Sequence, residues 1–125
     1  MAVLPEEVSK AWENRKGPII LSTVNKEGAP NSIYATCVSK YSEDTLVVAN
    51  NYFSKTLENI VAGSSGSILF ITQEDKSYQV KGRIEYHTDG PLFEDMKKWN
   101  PEKHPGHAAT ALKVDAVYKG AEQLL

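Results

Sequence analysis

The stretch TLVVANNYFSKTLENIVA, residues 45–62, predicts a buried strand, a polar turn and a short helix in direct succession. Its apolar run at residues 46–49 is too short for a helix and contains two valines, so it favours a strand. Asn50 and Asn51 are then expected to end the strand, because short amide side chains favour turns. The rest of the fold prediction is built around this strand–turn–helix unit.

The helical part of the stretch has the features of a capped amphipathic helix. Ser54 is predicted as its N-cap, with the hydroxyl bonded to the free N–H groups of the first turn. Leu57, Ile60 and Val61 are spaced as an apolar stripe, which predicts that they pack inward. Gly63 is predicted to end the helix.

Lys55 and Thr56 then fall in the first helical turn, where a lysine needs an explanation. The helix dipole disfavours a cation at this end, so one interpretation is that Lys55 neutralises a bound anion. Free N–H groups, the hydroxyls of Ser54 and Thr56 and the lysine would together form a phosphate cradle. The alternative is a solvated lysine on an ordinary capped helix, and the local pattern leaves both open.

The segment NNYFSKTLENI resembles the Asn-Tyr-x-Ser-Arg-Lys segment of the pyridoxamine 5′-phosphate oxidase family. In that family this strand-to-helix turn holds the phosphate of flavin mononucleotide (FMN). Lys55 stands where the family has an arginine, and Thr56 stands where it has a lysine, so one basic residue is missing. The residues that match the pattern are Asn51, Tyr52, Ser54 and Asn59.

Composition bounds the class of protein. The chain has 125 residues and a net charge of −2, which predicts one globular domain over residues 1–125 and gives no support for nucleic-acid or membrane-surface binding. No apolar run approaches the roughly 20 residues of a membrane span. The start of the sequence lacks the pattern of a signal peptide, and Cys37 has no partner for a disulfide, so a cytoplasmic location is expected.

The remaining periodicity is mostly that of strands. Helices are predicted over residues 5–15 and from Pro91 to a stop at Pro101. Strict alternation over residues 78–87 predicts a long strand, and Gly82 at its middle predicts a bend. Strands are expected at residues 19–24, 32–38, 45–49, 67–72, 78–87 and 109–118.

This order of elements predicts a mainly β protein with six antiparallel strands and two to three short helices. It is not the alternating pattern of a doubly wound sheet. The resemblance covers nearly the whole chain and implies a more specific architecture, a six-stranded antiparallel split barrel of Greek-key type.

The histidines and the single cysteine are two further potential sites. His104, His107 and His87 are potential metal ligands, but without a cysteine or acidic residue at ligand spacing, surface histidines and no metal are favoured. Cys37 is a potential nucleophile, but nothing near it in sequence would activate its thiolate, so a small buried residue is favoured. No GxGxxG or Walker-type loop is present in the sequence.

The resemblance implies an FMN-binding protein in which the flavin carries the redox chemistry. Phosphate contacts are implied at Ser54, Lys55 and Thr56. The ring contacts carried over with it, together with a weaker candidate on the long strand, are Tyr34, Ala35, Ala49, Asn50 and Gln79. True oxidases of the family carry an arginine-rich C-terminal segment. No arginine follows Arg83 here, so pyridoxamine phosphate is not expected as the substrate.

The function classes that stay open are a flavin-dependent oxidoreductase of unknown substrate, a flavin-binding electron carrier, and a β-barrel interaction protein without flavin. The first two would use NAD(P)H or a protein redox partner. A homodimer with the flavin near the interface is also expected, because a small open barrel leaves strand edges to cover and the family pairs in this way. Leu124 and Leu125 are predicted to lack a strand or helix of their own and to reach the partner.

Overall fold

The structure is a computed structural model that describes residues 2–125. Three helices and eight strands alternate irregularly along the chain. The helices are α1 (Glu6–Glu13), α2 (Lys55–Val61) and α3 (Gly90–Trp99). The strands are β1 (Ile19–Val24), β2 (Pro30–Ala35), β3 (Val38–Ser42), β4 (Thr45–Asn50), β5 (Ser65–Ile71), β6 (Ser77–His87), β7 (Ala108–Lys119) and β8 (Glu122–Gln123).

All eight strands belong to one antiparallel sheet that curls toward closure. Its order is β2-β1-β5-β6-β7-β4-β3, with β8 paired to β7. The two edge strands, β2 and β3, follow one another in the chain with only Thr36 and Cys37 between them. The ends of the sheet therefore meet at this two-residue link without a ladder between them. This is a split barrel, as the resemblance implied.

The strand count differs from the prediction because residues 32–38 do not form one strand. The chain leaves the β1 ladder after Ala35 and joins the β4 ladder at Val38, where Val38 faces Val48. Small polar and apolar residues continue across the link in the sequence, so periodicity gave no sign of the break. The short β8 is the other strand that the sequence did not predict.

The barrel interior is apolar and is capped by α1. Trp12 packs edge-on against Phe70 with ring centroids 5.2 Å apart, and Phe70 stacks on Tyr78. The helix is shorter than the predicted residues 5–15, since Pro5 precedes its first turn. The buried members of this core are Leu4, Val8, Ala11, Trp12, Ile19, Leu21, Leu46, Val48, Ile68, Phe70, Tyr78, Val80, Leu112, Val114 and Val117.

The bend predicted at Gly82 is a β-bulge between β6 and β7. The register shifts between Lys81 and Gly82, so that Asp115 of β7 has no partner on β6. A Cβ on Gly82 would lie 1.8 Å from the carbonyl oxygen of Lys113, so only glycine fits there. The bulge also moves the buried position beyond it to Val117, whereas unbroken alternation from Leu112 and Val114 would point Ala116 and Tyr118 inward.

The C-terminal residues fold back on their own chain. Leu124 donates its backbone N–H to the Val117 carbonyl at 2.8 Å and packs against the barrel core. Leu124 and Leu125 lie outside every helix and strand, as predicted, but the short β8 just before them holds them beside β7 of their own chain.

A second, smaller core lies outside the barrel under α3. Met96 is fully buried there, against Val47 and Ala49 of β4 and two alanines of β7. Pro91 lies in the first turn of α3 as predicted. Within residues 2–125, the structure contains no helix that is both long and apolar enough to cross a membrane.

Candidate functional site

A groove of about 470 Å³ opens at the split of the barrel, between the β2–β3 link and the start of α2. Its volume lies within the roughly 300–1,000 Å³ typical of small-molecule sites. Apolar and polar side chains share its walls. The lining residues are Asn31, Ile33, Tyr34, Ala35, Thr36, Cys37, Ala49, Asn51, Tyr52, Phe53, Ser54, Lys55, Thr56 and His104.

One wall is α2, which side-chain hydrogen bonds hold to the sheet. Asn31 of β2 donates its amide to the Thr56 hydroxyl at 3.1 Å. Asn59 donates to the Thr23 hydroxyl of β1 at 3.0 Å. Thr56, Asn59 and Ile60 are therefore the buried face of the helix. The predicted stripe is wrong at Val61, which is 77% exposed, because these bonds turn the helix toward its polar side.

Ser54 stands at the N-cap position but does not act as predicted. Its hydroxyl makes no capping hydrogen bond, and its ψ of −87° lies outside the extended region that N-cap residues usually adopt. The side chain lines the groove instead, where its hydroxyl can serve a ligand. Gly63 ends the helix as predicted, with a φ of +96°.

His104 also lines the groove, and it comes from the loop of residues 101–107 that follows α3. Asn51 and Asn100 exchange reciprocal amide hydrogen bonds of 3.0 Å, and both side chains are buried. The side-chain amide oxygen of Asn51 also accepts a hydrogen bond from the backbone N–H of Gly106 at 2.9 Å. This latch brings His104 beside Tyr52, with 3.0 Å between the imidazole Nδ1 and the phenol oxygen.

Six of the eight residues implied by the resemblance lie together in the groove: Tyr34, Ala35, Ala49, Ser54, Lys55 and Thr56. Tyr34 is 75% exposed at its edge, whereas Thr56 is almost wholly buried. Lys55 is the only lysine or arginine among the described lining residues. Its ammonium group lies 3.1 Å from the Glu58 carboxylate in an exposed ion pair.

Asn50 and Gln79 lie elsewhere. Side chains alternate along a strand, so Ala49 and Asn51 face the groove while Asn50 faces away from it. There Asn50 donates to the Tyr86 hydroxyl at 2.6 Å and accepts the Phe53 N–H at 3.0 Å. Gln79 lines a separate hollow over β1, β5 and β6 that shares no residue with the groove.

Sequence reasoning did not assign site roles to Asn31, Ile33, Thr36, Cys37, Asn51, Tyr52, Phe53 or His104. Asn51 and Tyr52 had a signal, since both match the motif. His104 was considered only as a metal ligand, and nothing in the sequence linked it to the groove, because it reaches Tyr52 through a loop that is about 50 residues away in sequence. Cys37 is half-buried and lines the groove at the link, so it is less buried than predicted.

The histidines do not meet. His104 lies beside Tyr52, whereas His87 lies 3.1 Å from the Glu85 carboxylate. Among residues 2–125 there is no cluster of three His, Cys, Asp or Glu side chains that could hold a metal ion.

The groove combines polar donors around the start of α2 with apolar side chains from β2, β4 and the turn before α2. Asn31, Ser54, Lys55 and Thr56 supply hydroxyl, amide and ammonium groups. Ile33, Ala35, Ala49 and Phe53 supply the apolar surface. This arrangement suits a flat apolar ring system that carries an anionic tail.

Comparison with known proteins agrees with this architecture. An uncharacterized protein of Methanocaldococcus jannaschii is 29% identical over 121 residues, which are 92% of this chain and 79% of the relative. HupZ from group A Streptococcus has the same fold with a TM-score of 0.80, at 22% identity and 93% coverage of each chain.

Two further solved structures share the fold. An FMN-binding protein from Syntrophomonas wolfei superposes with a TM-score of 0.73 at 20% identity, over 90% of this chain and 94% of that one. The haem storage protein HutZ from Vibrio cholerae superposes with a TM-score of 0.67 at 15% identity, over 94% and 95%. The model of one protein family, pyridoxamine 5′-phosphate oxidase, matches residues 4–119. With nearly its whole length matched by that model, the chain belongs to the pyridoxamine 5′-phosphate oxidase family.

Proposed function

We propose that this protein binds FMN in the groove and acts as a flavin-dependent oxidoreductase. The observation that carries the proposal is the gathering of Ser54, Lys55 and Thr56 in a single groove that apolar side chains also line. The FMN-binding protein of the same fold supports the choice of ligand.

The roles of the chain's own residues follow from their chemistry. Lys55 supplies a positive charge to the phosphate, and the hydroxyls of Ser54 and Thr56 supply hydrogen bonds. Ala35 and Ala49 offer small apolar surface on which a ring can lie without displacing a side chain. Bound FMN supplies the electron or hydride transfer.

The first experiment is the visible absorption spectrum of the purified protein, followed by titration with FMN and with riboflavin. We expect a yellow protein, or one that becomes yellow with FMN, and tighter binding of FMN than of riboflavin. Riboflavin lacks the phosphate, so equal affinities would show that the groove holds no phosphate and would contradict the proposal.

A second measurement tests whether the flavin-loaded protein turns over a substrate. Steady-state oxidation of NAD(P)H with added acceptors would distinguish an enzyme from an electron carrier, since a carrier shows no saturable NAD(P)H site. The proposal includes the cytoplasmic location expected from the sequence.

Haem is a second candidate ligand, favoured by one observation. His104 lines the groove, and a histidine nitrogen can ligate haem iron. The haem storage protein HutZ has the same fold. Titration of His104→Ala with haem and with FMN separates the two ligands: loss of haem binding with FMN binding retained would assign His104 to haem alone.

We also propose a homodimer with the flavin near the interface. The edge strands β2 and β3 need cover, β2 lines the groove, and Tyr34 of β2 is largely exposed there. Gln79 lies outside its own chain's groove, so in this arrangement it reaches a flavin only from the partner. Light scattering on the flavin-loaded protein tests the dimer, and a monomer mass with flavin bound would contradict it.

A further inference from the structure

Two hydrogen bonds of one kind join α2 to the strands beneath it. In each, an asparagine amide donates to a threonine hydroxyl: Asn31 to Thr56 at 3.1 Å, and Asn59 to Thr23 at 3.0 Å. Thr23 and Asn31 face each other in the β1–β2 ladder, and Thr56 and Asn59 are three residues apart on the helix. The two bonds are therefore matched in chemistry and position, but only the Asn31–Thr56 bond borders the groove.

The direction of the Asn31–Thr56 bond decides what the Thr56 hydroxyl can do. A hydroxyl has one proton to donate and can accept through its oxygen. Because the oxygen accepts the Asn31 amide, the proton is left to donate elsewhere. Among the described residues the Thr56 hydroxyl donates no hydrogen bond, and Thr56 lines the groove, so a ligand in the groove can accept its proton.

We infer that Asn31 is a positioning residue that makes Thr56 a neutral hydrogen-bond donor to the phosphate of the bound flavin. This inference rests on the proposed function. The family motif has a lysine where this chain has Thr56, so the chain replaces a second cation with an oriented hydroxyl. The charge of the cradle then comes from Lys55, and a neutral, directional bond comes from Thr56.

The test is a double-variant cycle read with FMN and riboflavin. Thr56→Val removes the hydroxyl while keeping the branched shape, and it should weaken FMN binding about tenfold, since a hydrogen bond to a charged group is lost. Asn31→Ala should weaken FMN binding by a smaller factor, and it should have no further effect when Thr56 is already valine. Neither variant should change the affinity for riboflavin.

Asn59→Ala is the matched structural control. It removes the equivalent amide–hydroxyl bond to Thr23, outside the groove. It should lower the melting temperature while leaving the ratio of FMN to riboflavin affinity unchanged. If Asn31 only held the helix in place, Asn31→Ala would behave in the same way as this control.

Salt separates the hydroxyl from the lysine. Binding through an exposed charge weakens as ionic strength rises, whereas a neutral hydrogen bond is far less sensitive. Thr56→Val should therefore keep the salt dependence of FMN binding, and Lys55→Ala should lose most of it.

Three results would overturn the inference: equal losses for FMN and riboflavin in Asn31→Ala, additive losses in the double variant, or an Asn31→Ala protein that binds FMN normally. The last would leave the proposed function intact if the unsubstituted protein still prefers FMN. If the unsubstituted protein shows no preference for FMN, the proposed function itself fails, and the inference fails with it. Should Asn31→Ala not fold, Asn31→Asp serves instead, because its carboxylate would accept the Thr56 proton. Asn31→Asp should weaken FMN binding by a larger factor than the one expected for Asn31→Ala.

Discussion

The barrel interior and the groove of this molecule are built from different kinds of contact. The interior is a set of aliphatic and aromatic side chains, in which Trp12 packs edge-on against Phe70 and Phe70 stacks on Tyr78. The groove walls are held by amides and hydroxyls, in the Asn31–Thr56 and Asn51–Asn100 pairs. Apolar contacts are non-directional and supply stability, whereas hydrogen bonds fix direction. The difference indicates that the groove is constructed for precise placement.

The largest expected effect lies in the interior. Trp12→Ala removes a buried indole that packs on Phe70 and carries Arg15 over its ring at 4.2 Å. It should lower the free energy of unfolding by about 3–5 kcal/mol, the cost usual for a large aromatic residue in a core. Chemical denaturation measures this loss.

The same variant tests the separation between the two regions. Protein that stays folded should keep its ratio of FMN to riboflavin affinity, because Trp12 does not line the groove. A selective loss of FMN affinity would show that the interior and the groove are coupled, and the comparison would fail.

The interior was the predictable part of the molecule. Val8, Ala11 and Trp12 are buried as their helical spacing indicates, and the alternation through Tyr78 and Val80 indicates the buried face of β6. Apolar periodicity is a local property of the sequence, so it survives without knowledge of the partners. Apolar periodicity failed at Ala116, where the β-bulge shifts the side chains of β7. It also failed at Val61, where the Asn31–Thr56 and Asn59–Thr23 hydrogen bonds turn α2.

In the groove, Lys55→Ala should weaken FMN binding and leave stability nearly unchanged, which is the reverse of the effect of Trp12→Ala. A charge-assisted hydrogen bond contributes roughly 1.5–3 kcal/mol, so FMN affinity should fall about ten- to a hundredfold. Stability should change little, because Lys55 is exposed at the start of α2. Fluorescence titration with FMN, with riboflavin as the control, checks the prediction. An unchanged FMN affinity would place the phosphate elsewhere.

Asn51→Ala should affect both the stability of the protein and its FMN affinity. It leaves the buried Asn100 amide and the Gly106 N–H without their partner, which should cost about 1–3 kcal/mol of stability. It also frees the loop of His104. Asn100→Ala is the matched control, since it breaks the same amide pair but leaves the Gly106 N–H bonded to Asn51. If both variants lose equal stability, the Gly106 bond contributes nothing.

The groove could be predicted only in part, and the reason is physical. The motif at residues 51–59 identified the α2 wall because those residues are close in sequence. Asn31 and His104 come from segments that only the closed sheet and the latched loop bring near. Asn50 was misplaced because a one-residue step along a strand reverses the direction of the side chain. Contacts set by register and loop closure leave no local pattern.

The smallest expected effect concerns the ion pair beside the cradle. Glu58 holds the Lys55 ammonium at 3.1 Å, and the two side chains are 65% and 59% exposed. An exposed pair of this kind contributes at most about 1 kcal/mol, so Glu58→Gln should raise FMN affinity by no more than about fivefold. The gain has two sources, the release of Lys55 and the loss of a negative charge near the phosphate. It should vanish at high salt, where both are screened.

Riboflavin affinity should not change, and Glu27→Gln, which removes an exposed charge in the β1–β2 turn, is the control. A fall in FMN affinity on Glu58→Gln would mean that the pair holds Lys55 in its binding position, and the cradle would then be preorganised by charge as well as by hydrogen bonds.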